Sequence, residues 1–180
     1  DKVFQEDPFA IPVSYIRTLF EYVTSSGQLK ILNYFCLLLS SILSADNFYF
    51  RICKEMFVFD AIYAALEAED LSNGTEYIFR LILLFFHNEN EEEKNEALVT
   101  FPFEYFISLF CNETLDAEKE FFSCIKYYVE KLESIEGKNL HLLVNRLLCL
   151  LEKKKEMYVS GDHKKVRNAL NTFDKLLAKG

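Results

Sequence analysis

The sequence predicts an all-α protein built from stacked helical repeats, an α-solenoid. The first observation is a self-match at a spacing of 44 residues, which places Phe57 on Phe101 and Ile62 on Phe106. The second is a series of long apolar runs that only 5 Gly and 3 Pro interrupt in 180 residues. Few breakers favour helices over many short strands. A period of roughly 40–47 residues filled with helical patterns is typical of helical repeats that bury their apolar faces against one another.

The self-match continues upstream of residue 57 with no gap. At the same spacing of 44, an apolar run in the first half of the chain falls on an equally apolar run in the second: Phe35, Leu37, Leu38, Leu39 and Ile42 on Phe79, Leu81, Ile82, Leu83 and Phe86. We therefore expect these residues to occupy equivalent places in successive units.

The first helices follow from apolar spacing and breakers. Pro12 suits a first helical turn and opens a helix over 13–24, which Ser25, Ser26 and Gly27 end. The stretch 28–44 is apolar almost all round, which is typical of a helix buried on most sides. Asp46 caps a short helix over 47–55, and a medium helix follows over 58–68.

The second unit repeats that order. A break at 72–74 precedes a helix that runs from about Thr75 to Phe86. Residues 87–93 are predicted to be a polar loop or a fraying helix start, and 94–99 a short helix. Pro102 fits the first turn of the medium helix that follows.

The third unit is less regular, since its spacing slips to about 41 residues. Helices are predicted over 117–133 and 140–154, and a final amphipathic helix over 163–178. The chain is thus interpreted as one domain, divided into a partial repeat over 1–26, repeats over 27–71, 72–115 and 116–159, and a capping helix over 160–180. Because the sequence begins with Asp1 rather than Met, we expect it to be a piece of a longer protein.

Charge limits the classes of partner. The net charge of −8 argues against general binding of nucleic acid, which requires clustered Lys and Arg. Residues 151–180 carry eight basic and four acidic residues, a net of +4, so the first 150 carry −12. A Lys-rich terminal helix is usually a solvated face, and recruitment of an acidic partner is the alternative.

The cysteines predict a reducing compartment. The chain has five, an odd number, with no C-x-x-C motif, so we expect free thiols. Cys36, Cys111 and Cys149 lie in apolar runs and are predicted to be buried, so at most Cys53 and Cys124 are expected to react quickly with a thiol reagent. The apolar run 31–43 is too short to span a bilayer. An intracellular protein, cytoplasmic rather than nuclear, is therefore expected.

A family resemblance narrows the fold. Residues 37–45 (Leu-Leu-Leu-Ser-Ser-Ile-Leu-Ser-Ala) are similar to the end of the long third helix of an armadillo repeat, and residues 46–66 to the two helices that follow it. Over nearly its full length the chain resembles the armadillo/HEAT-type solenoids. The resemblance implies a right-handed α-solenoid of about three and a half armadillo-like repeats with a C-terminal capping helix.

The chain departs from the family pattern in three ways. Phe57 and Phe101 replace the usual Gly between the short and medium helices, and Ser41 and Phe85 stand where peptide-binding members carry a clamping Asn. There is no Trp. Recognition of basic nuclear-localisation peptides by the family's mechanism is therefore not expected.

The resemblance implies that the long helices line a concave groove that binds a protein or peptide. Tyrosine anchors such a groove well, because it buries a large area at low entropy cost. The predicted groove residues are Asn33, Ser40, Ser41, Tyr77, Arg80, Tyr127, Tyr128 and Lys131.

No catalytic chemistry is predicted. His87 with Glu89 and the acidic run Glu91, Glu92 and Glu93 lacks the fixed geometry that a metal site needs. No Gly-rich phosphate loop or G-x-S-x-G motif occurs. We expect a non-catalytic scaffold or adaptor with no cofactor, no bound metal, no nucleic acid and no membrane contact. The alternatives are a structural or oligomerisation segment with no free groove, and a helical enzyme whose site is not readable from sequence.

Overall fold

The computed structural model describes residues 11–67, 70–72, 74–110, 112, 115 and 119–131, with the single positions 141, 145, 171, 174, 175 and 178. Within these residues the protein is all-α, as predicted, and no strand is present. The helices are α1 (Val13–Ser26), α2 (Leu29–Ala45), α3 (Phe48–Glu55), α4 (Val58–Leu66), α5 (Glu76–Phe86), α6 (Glu91–Thr100), α7 (Phe103–Phe110) and α8 (Lys119–Lys131). The predicted helices over 140–154 and 163–178, and most of the predicted capping helix, lie outside the described residues.

The start of α6 differs most from the prediction. The helix begins at Glu91 rather than at residue 94, because Asn90 caps it: the Asn90 Oδ1 accepts a hydrogen bond from the Glu92 N–H at 3.0 Å. Acidic residues in the first turn, Glu91 to Glu93, also complement the positive end of the helix dipole. A run of acidic residues that reads as a polar connector is thus the first turn of a helix.

The three long helices α2, α5 and α8 lie side by side, with α5 between the other two. Asn33, near the start of α2, bonds to the start of α5 at Tyr77 and Ile78. Phe79 at the start of α5 packs on Phe121 at the start of α8, with ring centroids 5.0 Å apart. Because the start of each of these helices contacts the start of its neighbour, the three helices run parallel.

Burial along these helices repeats every 43 residues. Buried positions at this spacing form the rows Phe35, Ile78 and Phe121; Cys36, Phe79 and Phe122; Leu39, Ile82 and Ile125; and Leu43, Phe86 and Val129. The predicted spacing of 44 is wrong for α2 and α5, since it pairs buried Cys36 with exposed Arg80. A shift of one residue turns a helix by about 100°, so matching residue types do not ensure matching environments. The spacing of 44 does hold between α4 and α7, where Ile62 and Phe106 are both fully buried.

The remaining helices pack along this row. Helix α1 packs on α2 and lines a cleft with α2 and α4, and α4 meets α7 through the rings of Tyr63 and Tyr105, stacked 4.8 Å apart. Helices α3 and α6 are joined by Lys54, whose Nζ lies 2.8 Å from Glu92 Oε1 and 3.2 Å from Glu96 Oε2.

An aromatic cluster fills the space between α5, α7 and α8. Phe106 has no exposed surface, and its ring lies within 6.3 Å of those of Phe79, Phe86, Phe121 and Tyr128. Tilted and edge-to-face pairs of this kind add about 0.5–1.5 kcal/mol each beyond the buried area. Phe106 therefore lies at the centre of an aromatic core that joins these three helices.

The two phenylalanines that occupy the family's Gly position do not occupy equivalent environments. Phe57 is 70% exposed and has a left-handed backbone with φ 56°, whereas Phe101 is fully buried with φ −121°. The prediction that these residues are equivalent is therefore wrong.

No helix in the described ranges is long and apolar enough to cross a membrane.

Candidate partner-binding face

One surface of the protein, which we call the open face, is formed by the exposed sides of α2 and α5 and by the end of α8. Its residues are Tyr34, Ser41, Tyr77, Arg80, Leu84, His87 and Lys131. At the spacing of 43 residues, Tyr34 corresponds to Tyr77, and Ser41 to Leu84. Parallel packing of α2 and α5 brings such pairs to the same level of neighbouring helices. The open face therefore consists of side chains that lie at matching levels of neighbouring helices.

Tyr34 and Tyr77 form an aromatic pair on the open face. Their ring centroids are 6.1 Å apart with planes tilted by 40°; Tyr34 is 56% exposed and Tyr77 is half-buried. Sequence reasoning missed Tyr34, because at a spacing of 44 its partner was Ile78. A search for tyrosines at a spacing of 43 would have found the pair.

Arg80 lies one turn after Tyr77 on α5. Its side chain is exposed and makes no ion pair with any described residue. Three residues along a helix place two side chains on the same side. An arginine beside a tyrosine pair offers a guanidinium for a carboxylate and rings for an apolar group.

The open face carries two basic side chains, Arg80 in the middle of α5 and Lys131 in the last turn of α8. Acidic residues lie near them: Glu76 in the first turn of α5, and the exposed Glu130 beside Lys131.

Tyr127 and Lys131 contact each other at the edge of the open face. The Lys131 Nζ donates to the Tyr127 hydroxyl at 2.5 Å and lies 4.1 Å from the centre of its ring. Tyr127 is buried and stacks on Phe86 at 4.9 Å, with His87 edge-on at 5.2 Å. Lys131 is open to a ligand, but the Tyr127 ring is already covered.

Tyr128 faces inward rather than toward the open face. Its hydroxyl donates to the Phe101 carbonyl at 2.6 Å, and its ring packs near Phe86, Phe103 and Phe106. Burial raises the pKa of this phenol above its ordinary value. The prediction that the Tyr128 side chain lines the open groove is therefore wrong.

Asn33 is a structural cap instead of a groove residue. It is buried, and its Oδ1 accepts hydrogen bonds from the Tyr77 and Ile78 N–H groups at 2.9 and 3.1 Å, which satisfies the free donors at the start of α5. Gly74 fits tightly beside it: a Cβ there would lie 3.2 Å from the Asn33 Nδ2, and its φ of 88° favours glycine. The expected exposure of Asn33 is wrong.

The two serines of α2 differ in exposure. Ser40 is buried and donates to the Cys36 carbonyl at 2.7 Å, so it is closed to a partner. Ser41 is exposed and donates to the Leu37 carbonyl at 3.0 Å. Of the predicted groove residues, those with exposed or half-buried side chains on the open face are Ser41, Tyr77, Arg80 and Lys131.

The described thiols are buried. Cys36, Cys53 and Cys124 are free and at most 2% exposed, so the predicted burial of Cys36 is confirmed and Cys53 and Cys124 are as well shielded as Cys36 is. Burial raises the pKa of all three, that of Cys53 to about 12. Such thiols are poor nucleophiles. Cys111 and Cys149 lie outside the described residues.

The acidic residues that follow His87 form the first turn of α6 and make contacts at the surface. Hydrogen bonds from Lys54 hold the pKa of Glu92 below its ordinary value, and Glu93 accepts from the Asn88 Nδ2 at 2.6 Å. No group of three or more His, Cys, Asp or Glu side chains suited to a metal occurs in the described part of the chain.

Comparison with protein-family models, curated proteins and solved structures finds no match to this chain. The interpretation of its function therefore rests on its residues and their arrangement.

Proposed function

We propose that the protein is a non-catalytic scaffold or adaptor module, an armadillo-like α-solenoid of about three and a half repeats, which binds a protein partner along the open face. The row of parallel long helices and the 43-residue spacing of their buried positions support a repeat architecture. The buried free thiols of Cys36 and Cys53 suit a reducing compartment, so the proposal places the protein in the cytoplasm.

The observation that carries the proposal is the surface pair of exposed Tyr34 and half-buried Tyr77, beside an exposed Arg80 that makes no ion pair with any described residue. Tyrosine and arginine are enriched among the residues that dominate binding energy at interfaces. Tyr34 and Arg80 remain exposed here, in contrast to Tyr127 and Tyr128, whose rings pack on the core.

The chemistry of the face favours a peptide that carries acidic residues next to an aromatic or aliphatic anchor. Arg80 and Lys131 supply positive charge, and the tyrosine pair supplies apolar area with hydroxyl groups. Asn33 is engaged in capping α5, so side-chain anchors rather than an asparagine clamp would hold the partner.

Binding to a peptide array tests the proposal. We expect the intact protein to retain peptides in which Asp or Glu flanks Phe, Tyr or Leu, and to retain the same peptides with Lys in place of the acids far less. The substitutions Arg80→Glu and Lys131→Glu together should weaken binding about tenfold, because opposite charges become like charges. Tyr34→Ser with Tyr77→Ser should weaken it as well.

A matched control changes charge by the same amount elsewhere. Arg51 and Lys119 are exposed on α3 and at the start of α8, so Arg51→Glu with Lys119→Glu should leave binding nearly unchanged. All variants should melt within a few degrees of the wild type. Equal retention of acidic peptides by the wild type and by both face variants would exclude the open face as the binding site.

A further inference from the structure

A cleft of about 340 Å³ lies between α1, α2 and α4. It is separate from the open face: Leu32 lines the cleft, whereas Tyr34, two residues later on α2, lies about 200° further around the helix. Pockets that hold small ligands begin at about 300 Å³, and a dry cavity of about 150 Å³ already takes up benzene. The cleft is therefore large enough for a small organic molecule.

Every described residue that lines the cleft is uncharged. Val23, Ala61 and Ala65 provide apolar surface, and the exposed Thr24 and Gln28 provide hydrogen-bonding groups. A charged group placed there would lose water without gaining a partner of opposite charge. The lining therefore favours an uncharged, apolar ligand with one polar end.

The matching positions of the next unit carry larger side chains. At the spacing of 44 residues that relates α4 to α7, Ala61 corresponds to Tyr105 and Ala65 to Leu109, which are both at most 9% exposed. The Tyr105 ring fills space between α7 and α4, where it stacks on the Tyr63 ring with centroids 4.8 Å apart. In place of such a ring, α4 presents only the methyl group of Ala61 to the cleft.

The connection beside the cleft also lacks an apolar side chain. Only Gly27 and Gln28 separate α1 from α2, and a Cβ on Gly27 would meet no atom within 4 Å beyond its chain neighbours. The connections that follow α4 and α7 each bury a leucine, Leu71 with no exposed surface and Leu115 at 7%. Apolar groups that are buried in the later units are therefore missing around this cleft.

We propose that this cleft, the α1–α4 cleft, binds a small uncharged aromatic ligand that carries a hydroxyl group. The ring lies against Ala61 and Ala65, in the kind of space that a tyrosine ring fills in the next unit, and the hydroxyl points toward Thr24 and Gln28. The Thr24 hydroxyl donates to the Phe20 carbonyl at 3.0 Å, so its oxygen remains an acceptor for the ligand hydroxyl.

Titration of the intact protein with para-cresol, the tyrosine side chain as a free molecule, tests the proposal. Methyl NMR spectra should show saturable shifts at Val23, Ala61 and Ala65 with a dissociation constant of about 10⁻³ M, because a small ligand in an open cleft makes few contacts. Para-toluate, which carries a carboxylate in place of the hydroxyl, should bind about tenfold more weakly. The absence of saturable shifts at the cleft, or equal binding of para-toluate, would overturn the proposal.

Variants that fill the cleft locate the ligand. Ala65→Leu supplies the side chain that Leu109 provides in α7, and Gln28→Leu supplies an aliphatic group from the connection. Each should weaken para-cresol binding about tenfold, because the added side chain occupies the ligand's space, and both should melt within a few degrees of the wild type. Ala45→Leu adds the same side chain at the exposed far end of α2, so it is the matched control and should bind as the wild type does. Undiminished binding by both cleft variants would place the ligand elsewhere and overturn the proposal.

Discussion

The two turns that connect a short helix to a medium helix place a phenylalanine in opposite environments. In the turn between α3 and α4, Met56 is buried and Phe57 projects into solvent with a left-handed backbone. In the second, α6 to α7, Phe101 enters the core, its ring 5.5 Å from that of Phe59 and its carbonyl bound by the Tyr128 hydroxyl.

The difference lies in the backbone of the two turns. Helix α3 ends at Glu55 and Phe57 has a left-handed φ of 56°, whereas α6 continues to Thr100 and Phe101 has a φ of −121°. The change in spacing from 43 to 44 is already present between Cys53 and Ala97, ahead of both turns. Identical residue types at matching positions are thus no guarantee of equal roles.

The largest expected effect is a difference in stability between variants of Phe101 and Phe57. Phe101→Ala should lower the free energy of unfolding by about 3–5 kcal/mol, because it leaves a cavity in the aromatic core. Phe57→Ala should change it by less than about 0.5 kcal/mol, because the ring lies in solvent. Chemical denaturation measures both, and equal losses would contradict the assigned difference in environment.

The second effect concerns pH. Helices α2 and α3 bury Cys36 and Cys53, whereas the corresponding buried positions of α5 and α6 hold Phe79 and Ala97. Burial raises the pKa of Cys53 to about 12, above the ordinary value of 9.0. A raised pKa contributes stability that is complete below pH 9 and is lost as pH rises through 12.

Denaturation at stepped pH between 7 and about 11 measures this loss. Cys53→Ala should reduce the loss of stability above pH 9, because the variant has one fewer buried thiol to ionise. Identical pH profiles for the wild type and the variant would show that Cys53 ionises as easily in the folded state as in the unfolded one.

A third, smaller effect tests the contact by which Asn33 of α2 caps the start of α5. Asn33→Ala should cost about 1–2 kcal/mol, because it removes the cap of α5. Amide exchange at Tyr77 and Ile78 should accelerate. Ser41→Ala, on the exposed side of the same helix, is the control and should change stability by less than about 0.5 kcal/mol. Unchanged exchange at the two amides would mean that Asn33 is not their partner in solution.

The smallest expected effect is a gain in stability. Phe57→Gly should raise the free energy of unfolding by up to about 1 kcal/mol, because a left-handed conformation costs a side chain about 1–2 kcal/mol that glycine largely avoids. Part of that gain is offset by the greater freedom of glycine in the unfolded chain. A lower melting temperature for this variant would show that the Phe57 ring makes stabilising contacts.

The sequence by itself determined the helices and much of the core. Apolar spacing placed α1, α2 and α4 within two residues of their observed bounds, and the self-match identified Ile62 and Phe106 as buried equivalents. These features depend on the period of 3.6 residues per turn and on local breakers, which a sequence displays directly. The exposure of Arg80 and Lys131 was an implication of the family resemblance, which places the long helices along a groove.

Only the tertiary structure decided which side of each long helix remained open. Asn33 and Tyr34 are adjacent, yet the first is buried beneath the start of α5 and the second pairs with Tyr77 at the surface. Tyr127 and Tyr128 diverge in the same way, toward Lys131 and toward Phe101. These outcomes depend on how two helices more than 40 residues apart are rotated against each other. A helix turns by 100° per residue, so one residue in a connecting segment decides whether a side chain supports the fold or is exposed to a partner.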